Sequence, residues 1–160
     1  MRKYILGITM LLLAGASALA QETNTITTRF GALTINDEGA LLFKGTPVQL
    51  TIEANNSLDL SEPYQTGASD AVLVTDIGGT ACPALYYFVT VTKSGAKVSP
   101  SFGTCSDLIK VKRNGNSISI SMPGYAGPFE SKRAQLRAAR ERHLFIYRAG
   151  VVTENGKPIK

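Results

Sequence analysis

From Thr25 to Met122 the dominant hydrophobic period of this chain is two. Alternation of that kind puts apolar side chains on one face of an extended backbone and polar ones on the other, a pattern no helix can use. The cleanest stretch is Val48-Gln49-Leu50-Thr51-Ile52-Glu53, which alternates without a fault and predicts a half-buried strand. Before it, Ile26 to Ile35 and Leu41 to Lys44 read as strands joined by the turn-rich Asn36-Asp37-Glu38-Gly39. The similar pentapeptides GALTI at Gly31 and GALLF at Gly39 fit two strands of one hairpin. Ala54 to Asp70 is rich in turn formers and predicts one long surface loop. Ala71 to Ile77 resumes as a strand, which Gly78-Gly79 breaks.

The next segment fixes a register. Leu85 to Thr92 (LYYFVTVT) is apolar on both faces at its start, which predicts a central strand covered on each side. Lys93-Ser94-Gly95 turns the chain, and Val98 to Thr104 returns. A four-residue loop, Thr92 to Gly95, sets Val91 against Ala96, Val89 against Val98, Leu85 against Phe102 and Cys82 against Cys105. Opposed antiparallel residues lie about 4.5–5.5 Å apart at Cα, a range that a disulfide tolerates. A second hairpin follows at Asn114-Gly115, whose turn chemistry sets Val111 against Ile118 and Ile109 against Ile120. Lys110 and Lys112 then face Ser119 and Ser117.

After Gly124 the pattern changes. Pro128 at a first helical position and Glu130 in the first turn predict a helix running to about Arg142. Its apolar anchors are Phe129, Leu136, Ala139 and His143. Leu144 to Tyr147 reads as a strand, and Val151-Val152 with Asn155-Gly156 closes a last short hairpin. The expected fold is mainly β, a small antiparallel barrel or sandwich with one C-terminal α-helix.

Residues 1–20 carry the marks of an export signal: Arg2 and Lys3, the apolar run Ile5 to Leu13, and Ala18-Leu19-Ala20 before Gln21. Residues 21–160 are expected to form a single β-rich domain, periplasmic or secreted, with no transmembrane segment. Two cysteines in an exported chain most simply form one disulfide, Cys82–Cys105. Closing that 23-position loop is worth on the order of 3 kcal/mol. Zinc is the rival use, but the chain has one histidine, His143, and no C-x-x-C pair, so no metal or other cofactor is expected.

The residues for catalysis are sparse. A serine triad could use only His143, and no G-x-S-x-G elbow precedes a helix. The carboxylates Asp37, Glu38, Glu53, Asp59, Glu62, Asp70, Asp76 and Asp107 fall mostly in turns or at strand ends, where a solvated cap explains them. Asp70, Asp76 and the Asp59–Glu62 segment lack a fixed calcium-ligand spacing. No catalytic residue is therefore assigned, and the chain is expected not to be an enzyme.

The charge is uneven. Of 17 basic and 12 acidic side chains, residues 129 to 160 hold eight basic and three acidic ones. Arg133, Arg137 and Arg140 fall at i, i+4 and i+7, one stripe of a helix, with Lys132 and Arg142 beside them. Such a stripe suits an acidic protein, lipopolysaccharide or anionic lipid. Its bland alternative is the solvated face of a packed helix. Large apolar residues are too few for a helix that inserts in a membrane, and an exported protein does not meet nucleic acid. The string Ser94-Gly95-Ala96-Lys97 resembles the exposed inhibitory loop of the small bacterial C-type lysozyme inhibitors, which are also exported, β-rich and disulfide-stabilised. Val98 stands where that family has an aromatic residue. The resemblance implies that Ser94 and Lys97, within the loop Lys93–Lys97, would contact lysozyme's acidic cleft. The expected function is thus an exported, non-enzymatic binding module of the cell envelope that engages a protein or envelope component through the basic helix, with lysozyme inhibition as the alternative.

Overall fold

A computed structural model of the chain describes residues 24–48, 52 and 54–160. The export signal and most of the alternating segment 48–53 lie outside the described residues; Val48 and Ile52, which are described, are buried.

Three antiparallel sheets follow one another along the sequence. The first is β1 (Asn24–Thr28), β2 (Gly31–Ile35), β3 (Leu41–Phe43) and β4 (Thr46–Pro47), in that order. GALTI and the following Leu-Leu-Phe pair as β2 and β3, in keeping with their similarity. The second sheet holds β5 (Ser57–Leu60), β6 (Tyr64–Thr66), β7 (Ser69–Ile77), β8 (Ala84–Thr92), β9 (Gly95–Val98) and β10 (Phe102–Cys105). The third holds β11 (Lys110–Asn114), β12 (Ser117–Met122), β13 (His143–Arg148), β14 (Val151–Glu154) and β15 (Lys157–Pro158), and the helix α1 (Lys132–Ala138) lies between β12 and β13. Among the described residues the fold is therefore mainly β, with one helix near the C-terminus.

The second sheet is apolar on both faces, which is why it sits in the middle. Ala71, Leu73, Ala84, Tyr86, Phe88 and Phe102 join Ile118, Ile120, Met122, Phe145, Tyr147 and Val152 of the third sheet in one core. On the opposite face Val72, Val74, Val89, Val91 and Val98 join Leu33, Leu41, Val48 and Ile52 in another. Aromatic rings tie the first of these cores: Phe88 lies 4.4 Å from Tyr147 and Phe102 5.2 Å from Phe145, centroid to centroid. Tyr147 meets the Thr90 hydroxyl at 2.8 Å, and the Tyr86 hydroxyl donates to the Ser106 carbonyl. Burial, with Asp107 nearby, pushes the Tyr86 hydroxyl up to about 12, so it remains a donor.

Several expectations change. Ala54 to Asp70 is not one loop: β5 and β6 both pair with β7, because Leu58 and Leu60 alternate inward. The first hairpin register holds for Val91–Ala96 and Val89–Val98 and then slips. Ser99 still bonds Phe88 through both its amide and its hydroxyl, but Pro100 has no amide hydrogen to give the ladder. Phe102 consequently faces Tyr86 instead of Leu85, and after a second irregularity Cys105 faces Ala84 instead of Cys82. Gly103 lies in that irregularity with φ 125°, and a Cβ there would crowd Tyr86 at 3.1 Å. The disulfide Cys82–Cys105 forms across the offset, with Cα atoms 4.6 Å apart. In the second hairpin Asn114 pairs with Ser117, so Gly115 takes the first central turn position at φ 58°. The register moves by two: Val111 faces Ile120, Ile118 faces Arg113, and Lys110 and Lys112 face Ser121 and Ser119. β11 is exposed along its whole length and edges the sheet with two lysines and an arginine, which discourages further strand pairing.

Asp70 and Asp76 are nearly inaccessible at 1% exposure, at the two ends of the face that carries Val72 and Val74. Asp70 accepts from the Arg29 amide and guanidinium at 2.7 Å, which fastens the β1–β2 turn to β7. Asp76 accepts from the Asn55 amide at 2.9 Å and side chain at 2.8 Å. Removing a buried carboxylate that anchors a cation leaves its donors badly solvated. Asp70→Ala is expected to lower unfolding stability by about 2–3 kcal/mol in a urea titration, with Asp59→Ala at an exposed position of β5 within about 0.5 kcal/mol of the parent.

Candidate functional site

The helix is shorter than its sequence promised: Lys132–Ala138, in place of 128–142. Ser131 caps it, its hydroxyl accepting from the Ala134 amide at 3.2 Å. Pro128, Phe129 and Glu130 instead form a turn, closed by the Glu130 amide on the Gly127 carbonyl. At the other end the Arg140 and Glu141 amides reach back to the Arg137 and Ala138 carbonyls, the tighter three-residue closure. The chain must straighten at once, because His143 already pairs with Met122 in the six-residue β12–β13 ladder.

The faces of α1 are also redistributed. Among its residues only Ala138 is buried, with Ala134 and Gln135 half-buried beside it. Phe129 and Leu136, expected to anchor the helix, are 97% and 51% exposed. Ala139 is exposed and His143 half-buried. The expected stripe is only partly helical: Arg133 and Arg137 lie on the outward face of α1, Arg140 falls in the turn beyond it, and with Leu136 they line a shallow depression of about 530 Å³. None of the three guanidiniums has a hydrogen-bond or ion-pair partner among the described residues. Arg142 does not join them: its guanidinium donates to the Ala139 and Glu141 carbonyls at 2.9 and 2.7 Å, satisfying the frayed helix end. Leu136 belongs to the patch by the same arithmetic that groups the arginines, three after Arg133 and four before Arg140; the spacing carries that signal, but it does not say which face is covered.

Ser94 and Lys97 line a different depression, of about 290 Å³, with Thr90, Thr92, Gly95 and Ala96 at the β8–β9 turn. Both are exposed. The Ser94 hydroxyl lies 2.9 Å from that of Thr92, inside the same turn, and Lys97 sits opposite Thr90 in the ladder.

Neither the histidine nor any carboxylate forms an ion pair with these arginines among the described residues, although Glu130 and Glu141 line a neighbouring cleft with Arg137. His143 Nδ1 meets Glu154 at 2.8 Å, and Nε2 lies 3.6 Å from Glu141. The Glu154 hydrogen bond raises the pKa of this imidazole most, Glu141 adds to the effect, and partial burial works against it. Asp70 and Asp76 serve the structural bonds described above, and among the described residues no three histidine, cysteine or acidic side chains are placed to hold a metal ion. Among the described residues no helix is long and apolar enough to cross a membrane. What the patch can do is attract and orient an anion: three planar guanidiniums, each able to offer paired donors, around one apolar side chain. Comparison with protein families, curated proteins and solved structures finds no match to this chain.

His143 pins the start of β13 to β14. Because its pKa is raised on folding, the ion pair contributes fully below the unfolded value of about 6.5 and is lost as pH rises through the higher folded value. In thermal unfolding, the Tm gap between the parent and His143→Ala is expected to be widest in mild acid and to shrink as pH climbs through that window; a gap that widens would refute the pairing.

Proposed function

We propose that this chain is an exported, non-enzymatic binding module that engages an anionic partner through Arg133, Arg137 and Arg140. The observation that carries the reading is the grouping of three unpartnered guanidiniums, Arg133 and Arg137 on the outward face of one short, capped helix and Arg140 in the turn that follows it. An isolated surface cation is common and uninformative. Three on one face, with no carboxylate drawn in to neutralise them, sum to a local positive potential that speeds and orients encounter with an anion. Glu130 and Glu141 share a neighbouring cleft of about 460 Å³ with Arg137, yet neither approaches it as an ion pair. The disulfide supports maturation in an oxidising compartment, which agrees with the export signal read from residues 1–20 and with a periplasmic or secreted location.

Binding to a soluble polyanion such as dextran sulfate tests the reading. The parent should bind at low salt and weaken as ionic strength passes about 0.1 M, where screening acts over about 10 Å. Reversing Arg133, Arg137 and Arg140 to Glu should abolish binding. The same change in net charge made at Lys110, Lys112 and Lys160, which are exposed elsewhere, should leave most of it. Equal loss in both triple variants would reduce the effect to net charge and remove the site.

A further inference from the structure

We propose that the anionic partner is the surface of a lipid bilayer, on which the arginine face docks while Phe129 and Leu136 enter the headgroup region. The inference rests on the binding reading above and adds the identity of the partner. Its foundation is Phe129, which is 97% exposed on a turn that the fold holds in place. The Gln135 side-chain amide donates to the carbonyls of Gly127, Pro128 and Glu130 at 3.2, 3.4 and 3.2 Å, and the Glu130 amide closes on Gly127. A benzyl side chain held out in water by a braced turn loses the burial that usually places phenylalanine inside. Leu136, half exposed, stands among the three guanidiniums of the same short segment.

Cations flanking isolated apolar side chains are the chemistry of an interfacial anchor: the charges find anionic headgroups, and the apolar groups reach the acyl boundary beneath them. The size of the face favours lipid over a folded acidic protein. The face is built from a twelve-residue segment, Phe129 to Arg140, whose seven helical residues span only about 10 Å, whereas a stable protein partner normally covers about 800 Å² per side. A fluid bilayer adapts to a single protruding ring and needs no complementary pocket.

The chain contains no tryptophan, so Phe129→Trp places a lone reporter at a position whose side chain packs against almost nothing. With vesicles of equal parts phosphatidylcholine and phosphatidylglycerol, its emission should shift to the blue and be quenched by lipids brominated on the acyl chain. Vesicles of phosphatidylcholine alone should cause neither change, and reversal of Arg133, Arg137 and Arg140 to Glu in the Phe129→Trp protein should abolish both. In co-sedimentation with the mixed vesicles, Phe129→Ala should weaken partitioning roughly tenfold while polyanion binding stays at the parent level. Emission that remains water-like on the anionic vesicles, or insertion that survives the arginine reversal, would overturn the lipid assignment. If arginine-dependent polyanion binding persists in that case, the binding reading stands and its partner is a soluble or protein anion.

Discussion

Strands β7 and β8 pair residue for residue from Asp70–Val91 to Ile77–Ala84, eight pairs in succession, and both faces of that ribbon are buried. Everything else in the molecule is arranged around this fact. Because alternate residues point to opposite sides, one ribbon can present Leu73, Tyr86 and Phe88 to the third sheet and Val72, Val74, Val89 and Val91 to the first. On the valine face, carboxylates are buried only where the ribbon ends. Asp70 and Asp76 bracket the valines and hold the turn at Arg29 and the entry at Asn55, and no buried side-chain nitrogen or oxygen of the described residues lacks a partner.

The arginine face inherits its geometry from this frame. A seven-residue helix does not persist alone in water, since so few hydrogen bonds cannot offset the cost of nucleation. Here its start is fixed by Ser131, its flank by Gln135, and its ends by the two strands that it connects, β12 and β13. Cys105 lines the same cleft as Ala134, Arg137 and Ala138, so the disulfide-bonded end of β10 lies beside the helix that carries the patch. The result is an outward surface whose backbone the fold holds in place, although its arginine and phenylalanine side chains stand in solvent.

Much of this is legible in the residues, for reasons that can be named. LYYFVTVT announces a strand covered on both sides because no half-exposed strand tolerates Leu, Tyr, Tyr and Phe in sequence. The Cys82–Cys105 bond is legible because a chain whose first residues read as an export signal has just two cysteines, whereas the directly opposed register expected for them is lost once Pro100 leaves the ladder. β5 and β6 are obscured because Ser, Asp, Glu and Pro around Leu58 and Leu60 speak for turns, while the pairing that makes them strands comes from β7. The length of the helix is hidden for a similar reason. KRAQLRAARER has the propensity to continue, but tertiary pairing of β13 from His143 onward stops it. Which face of a short helix is buried depends on what lies beneath it, and only the fold shows that Ala138, not Leu136, is the residue packed inward.

The dependence of the other layers on the β7–β8 ribbon is open to direct measurement by native-state hydrogen exchange. The amides of Val72, Val74 and Val89 should exchange only through global unfolding, with the slowest rates in the molecule and a free energy equal to that from denaturant titration. If β12 and β13 instead kept their protection while those amides exchanged through a smaller opening, the third sheet would be the stable unit and the central role of the ribbon would be contradicted.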